Sequence, residues 1–203
     1  MRKIPNSTAP KLESLEAREV PAVHIFEVNH TLHVVGDGHA DTIAITDNGK
    51  GTITVNAGTE HFTATDIHHI KIDTGGGGDT LTYDLTAKLT TTETITAWLG
   101  KGSDKATFNF SAGVGSDGHL TLRLHDGAGA DRDSVTMGSV AKGGSAVVKE
   151  FGGRGNDRIS FHASGEVGGR LAVTVRGGWG HDIEHIVTDV YTVGTGKVTV
   201  SSS

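Results

Sequence analysis

The sequence predicts an all-β chain wound as a parallel β-solenoid, with a single domain over residues 24–203. Three observations carry this reading. A glycine-rich turn ending in Asp recurs, its spacing is nearly constant, and apolar residues flank each copy at the same offsets. The copies are Gly75-Gly76-Gly77-Gly78-Asp79, Gly100-Lys101-Gly102-Ser103-Asp104, Gly127-Ala128-Gly129-Ala130-Asp131, Gly153-Arg154-Gly155-Asn156-Asp157 and Gly178-Trp179-Gly180-His181-Asp182. Successive turn Asp residues stand 25, 27, 26 and 25 positions apart. A fixed period of this length marks a stacked repeat architecture.

The flanks give the strands. Counting back from the first turn glycine, positions −5 and −3 hold Ile70/Ile72, Ile95/Ala97, Leu122/Leu124, Val148/Glu150 and Val173/Val175. Counting forward from the turn Asp, position +4 holds Tyr83, Phe108, Val135, Phe161 and Ile186, and position +2 holds Leu81, Ala106, Asp133, Ile159 and Glu184. A spacing of two puts side chains on one strand face, so each turn joins two strands that share a core. Glu150, Asp133 and Glu184 break the pattern and are expected to mark irregularity near the chain's end.

Between copies lies a second, variable turn, as in Gly113–Gly118, Lys142-Gly143-Gly144 and Gly165–Gly169. Each 25–27-residue period thus reads as turn, strand, turn, strand. Neither strand buries both faces alone, so neighbours must stack. About six coils at a spacing of roughly 4.8 Å make a rod near 30 Å tall. The rival architecture is an antiparallel β-sandwich or barrel with turns every dozen or so residues. A recurring identical turn at every second connection favours the solenoid.

Upstream, Gly36-Asp37-Gly38-His39-Ala40-Asp41, between Leu32-His33-Val34 and Ile43-Ala44-Ile45, reads as a degenerate first copy. Its glycines sit one place earlier relative to Asp41, which leaves its turn geometry open. Asn48-Gly49, between Ile43/Ile45 and Ile53/Val55, predicts a type I′ hairpin that caps the first coil and covers its edge. Residues 1–23 form a separate N-terminal segment without the apolar stretch of a conventional signal peptide.

Composition bounds function. Thirty glycines and three prolines suit strands and special turns, and the net charge of −6 with interspersed signs argues against a nucleic-acid partner. No apolar run approaches the roughly 20 residues of a membrane-spanning helix. The absence of cysteine excludes disulfides and thiolate metal sites. His181-Asp182-Ile183-Glu184-His185 is not the H-E-x-x-H zinc motif and lies in a turn-to-strand context. No catalytic constellation is found, so the chain reads as a non-enzyme. Trp98 and Trp179 suit packing or sugar stacking.

Two resemblances add expectations. The turn resembles the G-G-x-G-x-D-x-U-x nonapeptide of hemolysin-type calcium-binding (RTX) repeats, where U is a large apolar residue; Gly152–Ser160 matches every fixed position. The resemblance implies Ca²⁺ between stacked turns, held by Asp79, Asp104, Asp131, Asp157 and Asp182 with the backbone of Gly77, Gly102, Gly129, Gly155 and Gly180. Asp126 and Asp133 would add carboxylates. The period departs from the family's coils of about 18 residues. Two other accounts of the Asp column stay open: neutralisation by Lys101, Lys105, Arg132, Arg154 and Arg158, or hydrogen bonds from Asp to nearby backbone. Leu12–Ala22 resembles the L-E-x-L-E-x-R-x-V-P-A leader of large bacterial surface and secreted proteins, which implies export; a short amphipathic helix stopped by Pro21 is the alternative.

Together these features suggest a non-catalytic extracellular module, structural or adhesive, with Ca²⁺ in its turns. Its partners would be cell-surface polymers or other surface proteins. The alternative is a carbohydrate-binding or polysaccharide-degrading β-helix.

Overall fold

A computed structural model describes residues 23–202, so the leader-like stretch lies outside the described residues. The described chain holds sixteen strands and no helix, arranged as two eight-stranded sheets. In spatial order the first sheet contains β1 (His24–Val28), β2 (Thr31–Val35), β6 (His69–Asp73), β8 (Thr92–Trp98), β10 (His119–His125), β12 (Ser145–Phe151), β14 (Arg170–Arg176) and β16 (Lys197–Ser202). The second runs β5 (Glu60–Ala64), β4 (Ile53–Ala57), β3 (Thr42–Asp47), β7 (Thr80–Leu85), β9 (Lys105–Phe110), β11 (Arg132–Met137), β13 (Arg158–Val167) and β15 (Ile183–Thr192).

In spatial order from β2 and β3 onward every pairing is parallel, and outside β3–β5 the chain passes to the other sheet after each of these strands. That alternation is a parallel β-solenoid: β2/β3, β6/β7, β8/β9, β10/β11, β12/β13 and β14/β15 form successive coils, and β16 begins another pass. The register is in phase with the repeat. Ile70 lies beside Ile95, then Leu122, Val148 and Val173 on one sheet. Tyr83 lies beside Phe108, then Val135, Phe161 and Ile186 on the other. Because side chains alternate across a strand, these columns face one another and form the core. Tyr83, Phe108 and Phe110 pack ring to ring, with centroids 5.5–6.1 Å apart.

The repeat turn is held by its own short parallel ladder, in which Gly76, Lys101, Ala128, Arg154 and Trp179 bridge from coil to coil. Stacking explains the third glycine of the motif. A Cβ at Gly102 would coincide with the carbonyl oxygen of Gly77, one at Gly129 with that of Gly102, and one at Gly155 with that of Gly129. No side chain fits where one coil's backbone lies on the next. The second turn also stacks, although its sequence varies. Leu89, Val114, Val140 and Val167 bridge in parallel and are fully buried, lining that edge of the core.

Two antiparallel hairpins close the N-terminal end. β1 turns back on β2 through Asn29 and His30, whose φ angles of 50° and 59° are those of a two-residue type I′ turn. The hairpin expected at Asn48-Gly49 is present, and β5 extends it into the meander β3–β4–β5. Its turn is not type I′. Asn48 keeps a negative φ, while Gly49 and Gly51 take the positive values. The loop spans residues 48–52, with the Asn48 side chain accepting from the N–H groups of Lys50 and Thr52.

The polar interruptions do not gather at the chain's end. Asp133 and Glu150 lie in the middle of the stack, at most 4% exposed, among the apolar columns. Only Glu184 belongs to the last coil, where it is half-buried.

Candidate functional site

The turn Asp residues form a ladder along the rod. The backbone N–H of Asp79 donates to Oδ1 of Asp104 at 2.7 Å, that of Asp104 to Asp131 at 2.8 Å, and that of Asp131 to Asp157 at 2.9 Å. Asp157 donates to Asp182 at 2.9 Å. At the other end Asp41 N–H donates to Asp79 Oδ1 at 2.8 Å, so the degenerate first copy takes a full place in the column. Asp41 accepts from the Asp37 N–H within its own turn, whereas from Asp79 onward each Asp satisfies a largely buried N–H of the coil before it, a contact between coils. Such a group costs about 1–3 kcal/mol when left unpaired.

One oxygen of each carboxylate is thereby used. The Oδ2 atoms of Asp79, Asp104, Asp131 and Asp157 are buried and have no hydrogen-bond partner. Burial, with the neighbouring carboxylates, raises the carboxyls of Asp41, Asp104 and Asp157, and pushes Asp131 up to about 7. The basic residues of the turns do not relieve this. Lys101, Lys105, Arg132, Arg154 and Arg158 are exposed, and among the described residues no Lys or Arg forms an ion pair with the column. The five site glycines stand at the coil-to-coil contact, where their backbones stack directly.

Further carboxylates meet this column at one level only. Asp126 follows β10 on its inward face, six residues beyond Leu120, and is fully buried. Its carboxyl, that of Asp131 and that of Asp157 bring ligand oxygens within 4.8 Å of one another. Asp133, inward on β11, lies beside Asp126, and Glu150, inward on β12, lies near Asp133. Neither oxygen of Asp126, Asp133 or Glu150 has a hydrogen-bond partner; the Ala106 N–H lies near Asp133 without bonding to it. Burial raises all three carboxyls, Asp126 to about 11, Asp133 to about 6 and Glu150 well above its ordinary 4.5.

No family model, curated protein or solved structure matches the chain.

The site is thus read from its own geometry. Asp79, Asp104 and Asp182 stay in the ladder apart from the cluster, while Asp131 and Asp157 belong to both. Glu150 was visible only as a charge in an apolar slot, since spacing alone does not bring it to Asp133. A second buried acidic group lies two coils away. The Tyr83 hydroxyl contacts Asp47 Oδ2 at 2.9 Å and also Glu93 Oε1. On the outer face, Trp98, His125 and Phe151 stand on adjacent strands as a strip of stacked rings, with centroids 6.2 and 4.8 Å apart.

Proposed function

We propose that the chain is a non-catalytic extracellular β-solenoid module with a structural or adhesive role, and that Ca²⁺ binds at carboxylates of its Asp column. The observation that carries the ion is the row of buried Oδ2 atoms, each without a donor and none facing a Lys or Arg. Ca²⁺ is a hard cation that takes six to eight oxygen ligands, and unpartnered buried carboxylate oxygens are suited to supply them. The architecture supports the role of a module. A rod with in-phase strands presents long, regular outer faces suited to surface polymers or to other surface proteins. Thermal melting with Ca²⁺ against a chelator tests the ion: a higher midpoint in Ca²⁺ supports it, and superimposable curves would remove it.

A second reading draws on the ring strip. Trp98 is 42% exposed and lies in line with the rings of His125 and Phe151. Flat, partly exposed rings in register suit the apolar faces of sugars, which favours a carbohydrate-binding solenoid. A glycan array with the intact chain and with Trp98→Ala decides it. Binding that disappears in the variant supports this reading, whereas an array without signal discards it.

A further inference from the structure

The repeat imposes a residue type at most core positions, and three of the positions that violate it meet in space. In neighbouring coils the place of Asp126 is taken by Leu99 and Gly152, that of Asp133 by Ala106 and Ile159, and that of Glu150 by Leu124 and Val175. A coil built to the repeat's own pattern would carry no charge at any of them. Instead the described chain buries Asp126, Asp133 and Glu150 together, at 0%, 4% and 0% exposure. Isolated buried carboxylates are costly enough that they protonate or find a cation.

The geometry favours a cation. The oxygens of Asp126, Asp131 and Asp157 lie within 4.8 Å of one another, close enough for all three to reach one ion at about 2.4 Å. Around them, Asp126, Asp133 and Glu150 contribute both oxygens, and Asp131 and Asp157 their Oδ2 atoms, all buried and without a donor. Asp133 and Glu150 are not among the three grouped carboxylates. Their unpartnered, fully enclosed side chains are a separate indication that something positive belongs there. The donors are oxygen alone, with no imidazole or thiolate, which suits Ca²⁺ over transition metals.

We propose that this chain holds one Ca²⁺ inside its core, at the level of β10–β13, ligated by Asp126, Asp131 and Asp157 and surrounded by Asp133 and Glu150. The inference rests on the Ca²⁺ reading above and narrows it to one level of the column. It sits where Asp126, Asp133 and Glu150 interrupt the repeat beside two of its turn Asp residues, once per chain, and not between every pair of turns. Because the cage is closed, the ion enters as the chain folds, and its binding energy becomes folding energy.

The test compares three proteins unfolded in denaturant with chelator and refolded with or without Ca²⁺. They are the intact chain, the variant Asp126→Gly/Asp133→Leu/Glu150→Val, and Asp79→Asn/Asp104→Asn. The triple variant restores residues that other coils already carry at those places, so it is expected to fold with an unchanged β-type circular dichroism spectrum. The intact chain should retain one Ca²⁺ after desalting, by elemental analysis, and melt on the order of 5–10 °C higher at a Ca²⁺ concentration about 100 times Kd. The triple variant should retain none, melt identically with and without Ca²⁺, and exceed the chelated intact chain in stability. The double Asn variant should keep the ion. A triple variant that still holds Ca²⁺, or an intact chain that retains none, overturns the proposal. Loss of Ca²⁺ only in the double Asn variant overturns it in favour of ions along the turn column. Several ions per intact chain would do the same.

Discussion

The backbone N–H of Asp79 donates at 2.7 Å to the carboxylate of Asp104, 25 residues further on, so a side chain of one coil closes the backbone of another. Removing the acceptor leaves a buried N–H. In chelator, Asp104→Ala should lose about 1–3 kcal/mol, whereas Asp104→Asn, which keeps the acceptor oxygen and removes a buried negative charge, should stay within about 1 kcal/mol of the parent. Urea unfolding of both variants checks this. Equal losses would show that the Oδ1 contact is not what the Asp supplies.

Gly102 makes the sharpest steric prediction. Its φ of 147° is unfavourable for other residues, and an added Cβ would coincide with the Gly77 carbonyl oxygen. Gly102→Ala should cost more than about 2 kcal/mol, combining overpacking with backbone strain. Gly38 has open space at the corresponding Cβ, so Gly38→Ala serves as the tolerated control in the same denaturation series.

Stability should fall as pH rises, partly through Glu93. The Tyr83 hydroxyl has one proton for two carboxyl partners, Asp47 and Glu93. Burial, and then the neighbouring Asp47, holds the Glu93 carboxyl well above its ordinary 4.5. The folded state therefore keeps a proton that the unfolded chain releases above pH 4.5. Its stabilising contribution is complete below that pH and declines above it, by up to about 1.4 kcal/mol per pH unit, until the folded-state group titrates. Glu93→Gln should flatten the decline measured by urea unfolding between pH 5 and 8. Asp131, pushed up to about 7, acts in the same direction, so some slope should remain.

The β1–β2 turn offers a stabilising change. His30 adopts a φ of 59°, which suits glycine better, and its side-chain contacts with Asp66 are exposed. His30→Gly completes the Asn-Gly pair preferred in type I′ turns and should gain on the order of 1 kcal/mol. A raised thermal midpoint confirms it; a lowered one would assign more weight to the His30–Asp66 contact.

The repeat made most of this fold legible, because stacking forces the same residue type into the same slot at every level. Legibility failed where backbone geometry, not residue type, decides. Gly36–Asp41 looks out of register, yet Asp41 donates to Asp79 like any other rung. Asn48-Gly49 carries the type I′ signature, but the chain adopts that turn at Asn29-His30, where no glycine marks it. The column of Leu89, Val114, Val140 and Val167 was hidden by the variable lengths of the second turn. The acidic cage was half visible. Asp126 and Asp133 flank the turn Asp residue, but only the pairing of β10 with β12 brings in Glu150.

The one-coil reach of every parallel pairing also bears on how fast such a chain can fold. Parallel sheets are usually slow because distant segments must find one another before any contact rewards the search. From β6 and β7 onward each strand meets its next partner 25–27 residues away, and no step requires the two ends of the rod to meet. By loop-closure arithmetic the entropy of closing each coil is the same at every level. Once one pair of coils has formed, the next adds onto an existing template, so the molecule assembles as a nucleated one-dimensional growth process.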